Sequence, residues 1–293
     1  MLTSLLTLLI ASSLEGPITS GNIIDQTTSG FSSIIEAQNV PIKDSYYISP
    51  VIEASATVAI DMNTDTILFE KNAHQRRSIA SITKLMTLLI VLEENNLDEE
   101  ITISENAAQT EGSSMYLHAG EKIVLENLIY GAIIQSANDA AVALAENNAG
   151  SIEAFVEKMN QKALSLGLVN THFANPIGLD DPGNYSSAYD VAKLSKYVYQ
   201  HQFIRHAAKL KELEVRSISG DYTHHLISTN DLLDSYLNVK GLKTGSTDSA
   251  GLCLSSVAEN DNGNEIITVV LNSPARFKET KILIDWVFRA YNW

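Results

Sequence analysis

The chain is poor in cysteine and in basic residues. Cys253 is its only cysteine, so no intrachain disulfide can form, and its apolar surroundings indicate a buried strand. Lysine and arginine number 20 against 35 acidic residues, which gives a formal net charge of −15 and a pI near 4.8. Because phosphate binding needs a basic surface, this charge argues against nucleic acid as a partner.

A long apolar run is also missing at the N-terminus. Residues 1–11 are apolar over the length of a signal-peptide core, but a membrane-spanning helix needs about 20 such residues. No basic residue precedes Lys43, whereas signal peptides begin with a positive region. We interpret residues 1–13 as an export signal or a membrane anchor, the alternative being a tail without function. Membrane association would then occur through the N-terminus.

The remaining chain divides by composition. Residues 14–50 are rich in Ser, Thr, Gly and Asn without a stable period and are predicted to be a linker. Residues 51–293 are predicted to form a single catalytic domain, since 45% hydrophobic residues suffice for a packed core. Strands are predicted at 56–61, 66–70, 239–245, 252–258 and 265–271, and helices from 81, at 125–135, 139–147, from 152, at 190–201 and at 277–291.

The order of these elements predicts the fold class. Strands come first, then helices, then strands and a final helix. This order indicates an α+β fold in which an antiparallel sheet is built from both chain ends and flanked by helices. A helical subdomain at about residues 98–210 is inserted between the two halves of the sheet.

Two residues with the chemistry of a nucleophile and a base lie three positions apart. Ser81 and Lys84 begin a helix that is apolar on most sides, and positions i and i+3 share a helix face. A serine becomes a good nucleophile when a neighbouring base takes its proton, and burial lowers a lysine pKa toward that role. About one Ser-x-x-Lys is expected by chance in such a chain, so the motif needs independent support.

Two further motifs lie in suitable places. Ser136-Ala-Asn138 falls between two predicted helices, where a tight loop can direct both side chains into a cleft; a helix cap or turn is the alternative. Lys243-Thr-Gly245 lies in a predicted strand, with Lys243 and Gly245 on one sheet face. A cation there can bind a carboxylate, and a glycine lets a peptide approach the strand edge.

The order Ser-x-x-Lys, Ser-x-Asn, Lys-Thr-Gly is the signature of β-lactamases and penicillin-binding proteins. From about residue 58 onward the chain resembles the D-alanyl-D-alanine carboxypeptidase family, the low-molecular-mass penicillin-binding proteins of serine peptidase family S11. The stretches that carry the resemblance are 78–87, 135–141, 155–160, 166–179, 241–245 and 276–280. The resemblance implies a β-lactamase/transpeptidase-like fold and an extracytoplasmic location, in the bacterial periplasm or cell-wall space.

The resemblance also implies a mechanism without metal or cofactor. Ser81 would attack the carbonyl between two D-alanines at the end of a peptidoglycan stem peptide, and Lys84 would accept its proton. Ser136 would relay a proton to the leaving D-alanine, and Asn138 would hold the peptide backbone. The backbone N–H groups of Ser81 and Ser246 would form the oxyanion hole. β-Lactams would be covalent inhibitors.

The same resemblance implies which residues bind the terminal carboxylate of the substrate. These are Lys243, Thr244 and Arg276, and the planar guanidinium of Arg276 is well shaped for a carboxylate. Gly245 completes the strand motif. The chain departs from the family at Ile177, where a histidine is frequent, and we expect little functional effect. It ends at Trp293, so we expect no appended β-rich domain or C-terminal anchor.

The sequence also bears on other functions of the same motifs and on other polar clusters. A β-lactamase of class A would carry a Glu-x-x-Leu-Asn between the second and third motifs, and the chain has none. A D,D-endopeptidase acting on cross-links and a non-enzymatic β-lactam-binding sensor remain alternatives. The seven histidines show no ligand spacing, and we expect the His224-His225 pair to be solvated or capping. Asp180 and Asp181 are expected to be structural residues of a turn.

Overall fold

The computed structural model describes residues 40–293, so the predicted signal segment and most of the predicted linker lie outside the described residues. The strands are β1 (Ile42–Lys43), β2 (Ala56–Asp61), β3 (Ile67–Lys71), β4 (Glu100–Thr102), β5 (Lys122–Val124), β6 (Glu212–Arg216), β7 (Thr223–Ile227), β8 (Val239–Thr247), β9 (Gly251–Glu259), β10 (Glu265–Ser273) and β11 (Tyr291–Asn292). The α-helices are α1 (Lys84–Glu94), α2 (Glu105–Ala108), α3 (Leu125–Ile134), α4 (Asn138–Ala149), α5 (Ile152–Ser165), α6 (Ala188–Tyr199), α7 (Gln202–Ala207) and α8 (Arg276–Ala290).

The central sheet has five antiparallel strands in the order β3-β2-β10-β9-β8. Two strands, β2 and β3, come from the N-terminal part of the described chain and three from the C-terminal part. The pairing of β2 with β10 joins the two parts into one sheet. The predicted α+β fold with a sheet from both chain ends is therefore confirmed. Strand β8, which carries the Lys-Thr-Gly motif, lies at the edge of the sheet and has a strand neighbour on one side only.

Both faces of the sheet are covered by helices, which is why every residue of β2 is buried. On one face α8 packs its buried Leu283, Ile284 and Val287 onto the sheet. On the other face lies α6, against which α1 packs, and α1 buries eight residues in a row from Lys84 to Val91. A helix buried on most sides matches its apolar sequence, and each large apolar side chain buried contributes roughly 1.5–3 kcal/mol.

Three helices between the two parts of the sheet, α2, α5 and α6, start at side-chain caps. The hydroxyls of Ser104, Ser151 and Ser187 accept hydrogen bonds from backbone N–H groups three residues later. Such a bond satisfies one of the free N–H groups at a helix start. Helix α3 and helix α4 are separated only by the short segment 135–137. This connection places the Ser-x-Asn motif at a sharp interhelical corner, as the sequence predicts.

Two local differences from the predicted elements stand out. The helix predicted from Ser81 begins as a 3₁₀ turn, Ala80–Thr83, and becomes α-helical at Lys84. Within the predicted linker, Ile42 and Lys43 pair with β11 at the C-terminal end, so this part is attached to the folded domain. In the described range 40–293, no helix combines the length and the apolar character needed to cross a membrane.

Candidate active site

The Ser81 turn lies between two glycines. Its preceding residue, Ala80, has a left-handed φ of +50° and is buried. A Cβ atom on Gly245 would lie 2.9 Å from the Ile79 carbonyl oxygen and 3.1 Å from the Ser81 backbone nitrogen. A Cβ on Gly178 would lie 2.0 Å from the Ala80 carbonyl oxygen. Both neighbours therefore approach this turn closely because they have no side chain.

This packing gives the glycine of the Lys-Thr-Gly motif a role within the protein itself. The predicted approach of a peptide to the strand edge at Gly245 stays a prediction. In the structure, the space that its side chain would occupy is taken by the protein's own Ser81 turn. The result is that β8 and the Ser81 backbone are in direct contact, which also brings the neighbouring Ser246, an exposed residue, close to the nucleophile.

Lys84 is completely buried beneath Ser81. Its Nζ atom donates to Ser81 Oγ at 2.9 Å and to Asn138 Oδ1 at 2.6 Å. The third bond goes to the backbone carbonyl of Ile177, at 2.9 Å. Burial, followed by the positive charge of Lys243, holds the pKa of Lys84 well below its ordinary value, although Asp139 acts in the opposite direction. The amine next to the serine is thus shifted toward its neutral, proton-accepting form.

The Ser136–Asn138 corner is fixed by hydrogen bonds to other parts of the protein. Ser136 has a left-handed φ of +62° and is 6% exposed. The side-chain amide of Asn138 donates to the Glu111 carbonyl at 2.6 Å, while its oxygen accepts from Lys84. In this structure the Asn138 oxygen positions the lysine. The predicted contact of Asn138 with the substrate backbone stays a prediction, since its Nδ2 carries a second hydrogen besides the one given to Glu111.

The strand motif adds a second buried cation. Lys243 is 1% exposed and donates to the Thr244 carbonyl at 3.0 Å. Burial, and then the charge of Arg276, lower its pKa to about 7. The Thr244 hydroxyl bonds to the Thr229 hydroxyl at 2.5 Å. Arg276, the first residue of α8, donates from Nη1 to the Gly245 carbonyl at 2.8 Å. The geometry therefore brings cationic side chains from a strand and a helix to the Ser81 turn, which suits an anionic ligand end.

Two groups of the 175–183 loop support the site. The Ile177 carbonyl binds Lys84 through the backbone, so the side-chain departure at this position leaves that bond in place. Asp180 accepts from the Thr247 hydroxyl at 2.6 Å and from the Ser249 N–H at 3.1 Å. It thereby joins the 175–183 loop to the end of β8, in agreement with its predicted structural role.

His224 was expected to be solvated or to cap a helix. This prediction is wrong, because its side chain is buried, with only 4% of the residue exposed.

A comparison with known sequences identifies the family. The D-alanyl-D-alanine carboxypeptidase family, peptidase S11, matches residues 44–275. The chain belongs to this family. Its members include DacF of Bacillus subtilis, 37% identical over 246 residues that make up 82% of this chain and 63% of the relative. DacA of Escherichia coli is 37% identical over 281 residues, 89% of this chain and 67% of the relative. The chain thus spans about two thirds of the length of these relatives.

Solved structures of the family agree with the fold. A DD-transpeptidase from Streptomyces superposes with a TM-score of 0.78 at 32% identity, over 83% of this chain and 99% of that one. DacD of Francisella tularensis, a D-alanyl-D-alanine carboxypeptidase, gives a TM-score of 0.74 at 32% identity, over 85% of this chain and 73% of that one. The predicted resemblance to this family is confirmed, as is the β-lactamase/transpeptidase-like fold.

Proposed function

We propose that this protein is a serine D,D-carboxypeptidase that removes the terminal D-alanine from peptidoglycan stem pentapeptides. The observation that carries the proposal is the contact of 2.9 Å between a serine hydroxyl and a fully buried lysine amine whose pKa is lowered. This pair has the properties of an activated nucleophile and its base. Residues 51–293 are the proposed catalytic domain.

In the acylation step, Ser81 Oγ attacks the carbonyl carbon between the two D-alanines while its proton passes to Lys84 Nζ. The carbonyl oxygen gains negative charge, which the backbone N–H groups of Ser81 and Ser246 stabilise. One such donor contributes roughly 3–4 kcal/mol in other acyl enzymes. The direct packing of β8 on the Ser81 turn supports this assignment, because it brings the two backbones together.

Collapse of this intermediate breaks the bond to the terminal D-alanine. Ser136 donates its hydroxyl proton to the leaving nitrogen and takes up in turn the proton that Lys84 accepted from Ser81. Its place at the interhelical corner next to Asn138, which binds Lys84, supports this role. Water then attacks the ester on Ser81, which releases the shortened peptide and restores the hydroxyl. No metal or cofactor takes part in these steps. β-Lactams present their ring carbonyl in place of the scissile one; attack by Ser81 breaks the ring C–N bond and leaves an ester on Ser81, so they act as covalent inhibitors.

Substrate selection depends on the terminal carboxylate. Lys243, Thr244 and Arg276 bind it, and the clustering of two cations beside Gly245 supports this assignment. The charge requirement distinguishes a free peptide end from an internal peptide bond. We further propose an extracytoplasmic location in the bacterial cell-wall space, where such peptides occur, with any membrane attachment through the N-terminal segment.

Mass spectrometry after incubation with penicillin tests the nucleophile. We expect one covalent adduct per chain, on the peptide that contains Ser81, and none on a Ser81→Ala variant. D-Alanine release from a pentapeptide muropeptide should fall to background in the same variant. Unchanged release would show that the mechanism is wrong, and rapid turnover of penicillin would indicate a β-lactamase instead.

A second assay separates the related activities. Purified pentapeptide and cross-linked muropeptides are digested in parallel, with and without a free D-amino acid as acceptor. We expect tetrapeptide and D-alanine from the pentapeptide. Cleavage of the cross-link alone would indicate an endopeptidase, and exchange of the terminal residue would indicate the transpeptidase reaction named for the Streptomyces neighbour. A penicillin adduct on Ser81 together with no product in either digest would indicate a non-enzymatic sensor.

A further inference from the structure

A buried histidine–glutamate pair lies beside the loop that precedes β5. Nε2 of His224 lies 2.7 Å from Glu121 Oε1, and the two side chains are 3% and 0% exposed. Nδ1 of His224 lies 2.8 Å from the backbone carbonyl of Met115. The next residue, His225, is exposed and lies 3.5 Å from Glu214, so the two neighbouring histidines differ sharply in surroundings.

The geometry fixes where the protons must be. A carbonyl oxygen only accepts, so His224 Nδ1 carries a proton and donates to Met115. One further proton between Nε2 and the Glu121 carboxyl completes the second bond. With that proton in place, both ring nitrogens have partners, and a buried polar pair with all bonds satisfied fixes one local arrangement. The other Glu121 oxygen accepts from the His118 N–H at 3.0 Å.

The pair therefore holds both ends of the segment 115–118. This segment and the residues before it bind the Ser136–Asn138 corner by several backbone contacts. The Asn138 N–H donates to the Ser113 carbonyl at 2.6 Å. The carboxylate of Asp139 accepts from the N–H groups of Met115 and Leu117, at 3.1 and 3.0 Å. A displacement of Met115 would thus act on the corner whose asparagine binds Lys84.

We propose that His224 and Glu121 are positioning residues for the acyl-transfer reaction, because they fix the 113–118 loop that holds Asn138 against Lys84. The chain of contacts runs from the His224 ring to Met115, from Met115 to Asp139, and from the adjacent Asn138 to the lysine amine. Neither residue touches the Ser81 turn in these contacts. The inference rests on the proposed function, since its readout is the acylation of Ser81.

The test uses a double variant that removes both polar groups together. Glu121→Met with His224→Leu leaves no unpaired buried charge, and such exchanges of a buried pair for apolar residues often retain stability. Single removal would leave an uncompensated polar group and risk unfolding. Glu121→Gln is the conservative variant, because its amide can accept from the His118 N–H and donate to the neutral ring. His225→Leu is the matched control on the same strand.

The measurement is the second-order rate constant of acylation by penicillin as a function of pH, well below each variant's unfolding temperature. We expect the double variant to lose about tenfold or more, since a misplacement of about 1 Å can cost ~100-fold. Its acid limb, which reports the pKa of Lys84, should move to lower pH because the protonated amine loses a fixed acceptor. Glu121→Gln should retain most of the rate, and His225→Leu should match the unmodified protein.

The outcomes separate the two levels of the inference. If the unmodified protein forms no adduct, the proposed function is wrong and the positioning role with it. If it is acylated and the double variant matches it in rate and acid limb, the positioning role alone is wrong. A fall in thermal midpoint without a change in rate or pH profile would likewise show that the pair only stabilises the fold.

Discussion

Replacement of Gly178 by alanine tests how the Ser81 turn is held. Gly178 has φ +86°, and a Cβ there would lie 2.0 Å from the Ala80 carbonyl oxygen and 2.9 Å from the Ser81 nitrogen. Both contacts are with backbone, so no flexible side chain can move away. Real Cβ contacts are essentially never below 3.0 Å, so the two segments must separate by about 1.0 Å, from 2.0 to 3.0 Å.

The energetic consequence has two parts. A non-glycine residue in the left-handed region costs about 1–2 kcal/mol, and overpacking costs roughly 1–3 kcal/mol more. We therefore expect Gly178→Ala to lower the free energy of unfolding by about 2–5 kcal/mol. The acylation rate should also fall, because a shift of about 1 Å at the nucleophile can cost ~100-fold in rate. The Ile177 carbonyl, which binds Lys84, belongs to the same loop.

Gly263 provides the matched control. It lies in the hairpin between β9 and β10 with φ +82°, and a Cβ there would meet no atom within 4 Å. Gly263→Ala should therefore show only the backbone cost of about 1–2 kcal/mol, with an unchanged acylation rate. Urea unfolding and penicillin acylation are measured for both variants. Equal acylation by Gly178→Ala and the unmodified protein would refute the close packing that we infer around Ser81.

Three further predictions concern buried charges. Lys84→Arg should slow acylation by about 10²–10⁴-fold, measured by adduct formation, because a guanidinium does not release its proton to act as base. For Lys243, whose pKa is about 7 in the fold against 10.5 ordinarily, the unfolded chain binds more protons between these values. Stability from this group therefore rises with pH across that window, and Lys243→Met should stabilise the fold by about 1–4 kcal/mol near pH 6 and less at pH 10, in thermal unfolding. Glu279→Ala should destabilise by about 3 kcal/mol in urea unfolding, since its buried carboxylate accepts from the N–H groups of Glu53 and Ala54. An unchanged unfolding curve would contradict that last reasoning.

The Lys243 prediction also bears on why such a residue persists. A cation buried in the fold opposes stability at neutral and acidic pH, and the proposed benefit is binding of a substrate carboxylate. The Met variant should therefore lose D-alanine release while it gains stability. A variant that loses both would mean that Lys243 is needed for the fold itself.

Much of the fold and of the candidate site could be predicted because the determining signals are local. Strand β2 was predicted with the bounds that the structure gives, since Thr57, Val58 and Ile60 have high β-propensity and a turn sequence follows at 62–65. The helix predicted from residue 152 begins there, where the Ser151 hydroxyl caps it by accepting from the Ala154 N–H. The three motifs fell on a helix start, an interhelical corner and a strand, and their order along the chain indicated the family.

The tertiary structure alone decided which groups meet. Asn138 and Lys84 are 54 positions apart, and the Ile177 carbonyl is 93 positions from that lysine. No spacing rule joins such residues, because their contact depends on how α1, α4 and the 175–183 loop pack together. The same reason explains the burial of His224 and the contact of Gly245 with the Ser81 turn. The sequence determined the chemical groups and their local elements, whereas packing over long distances in the chain decided their neighbours and hence their pKa values.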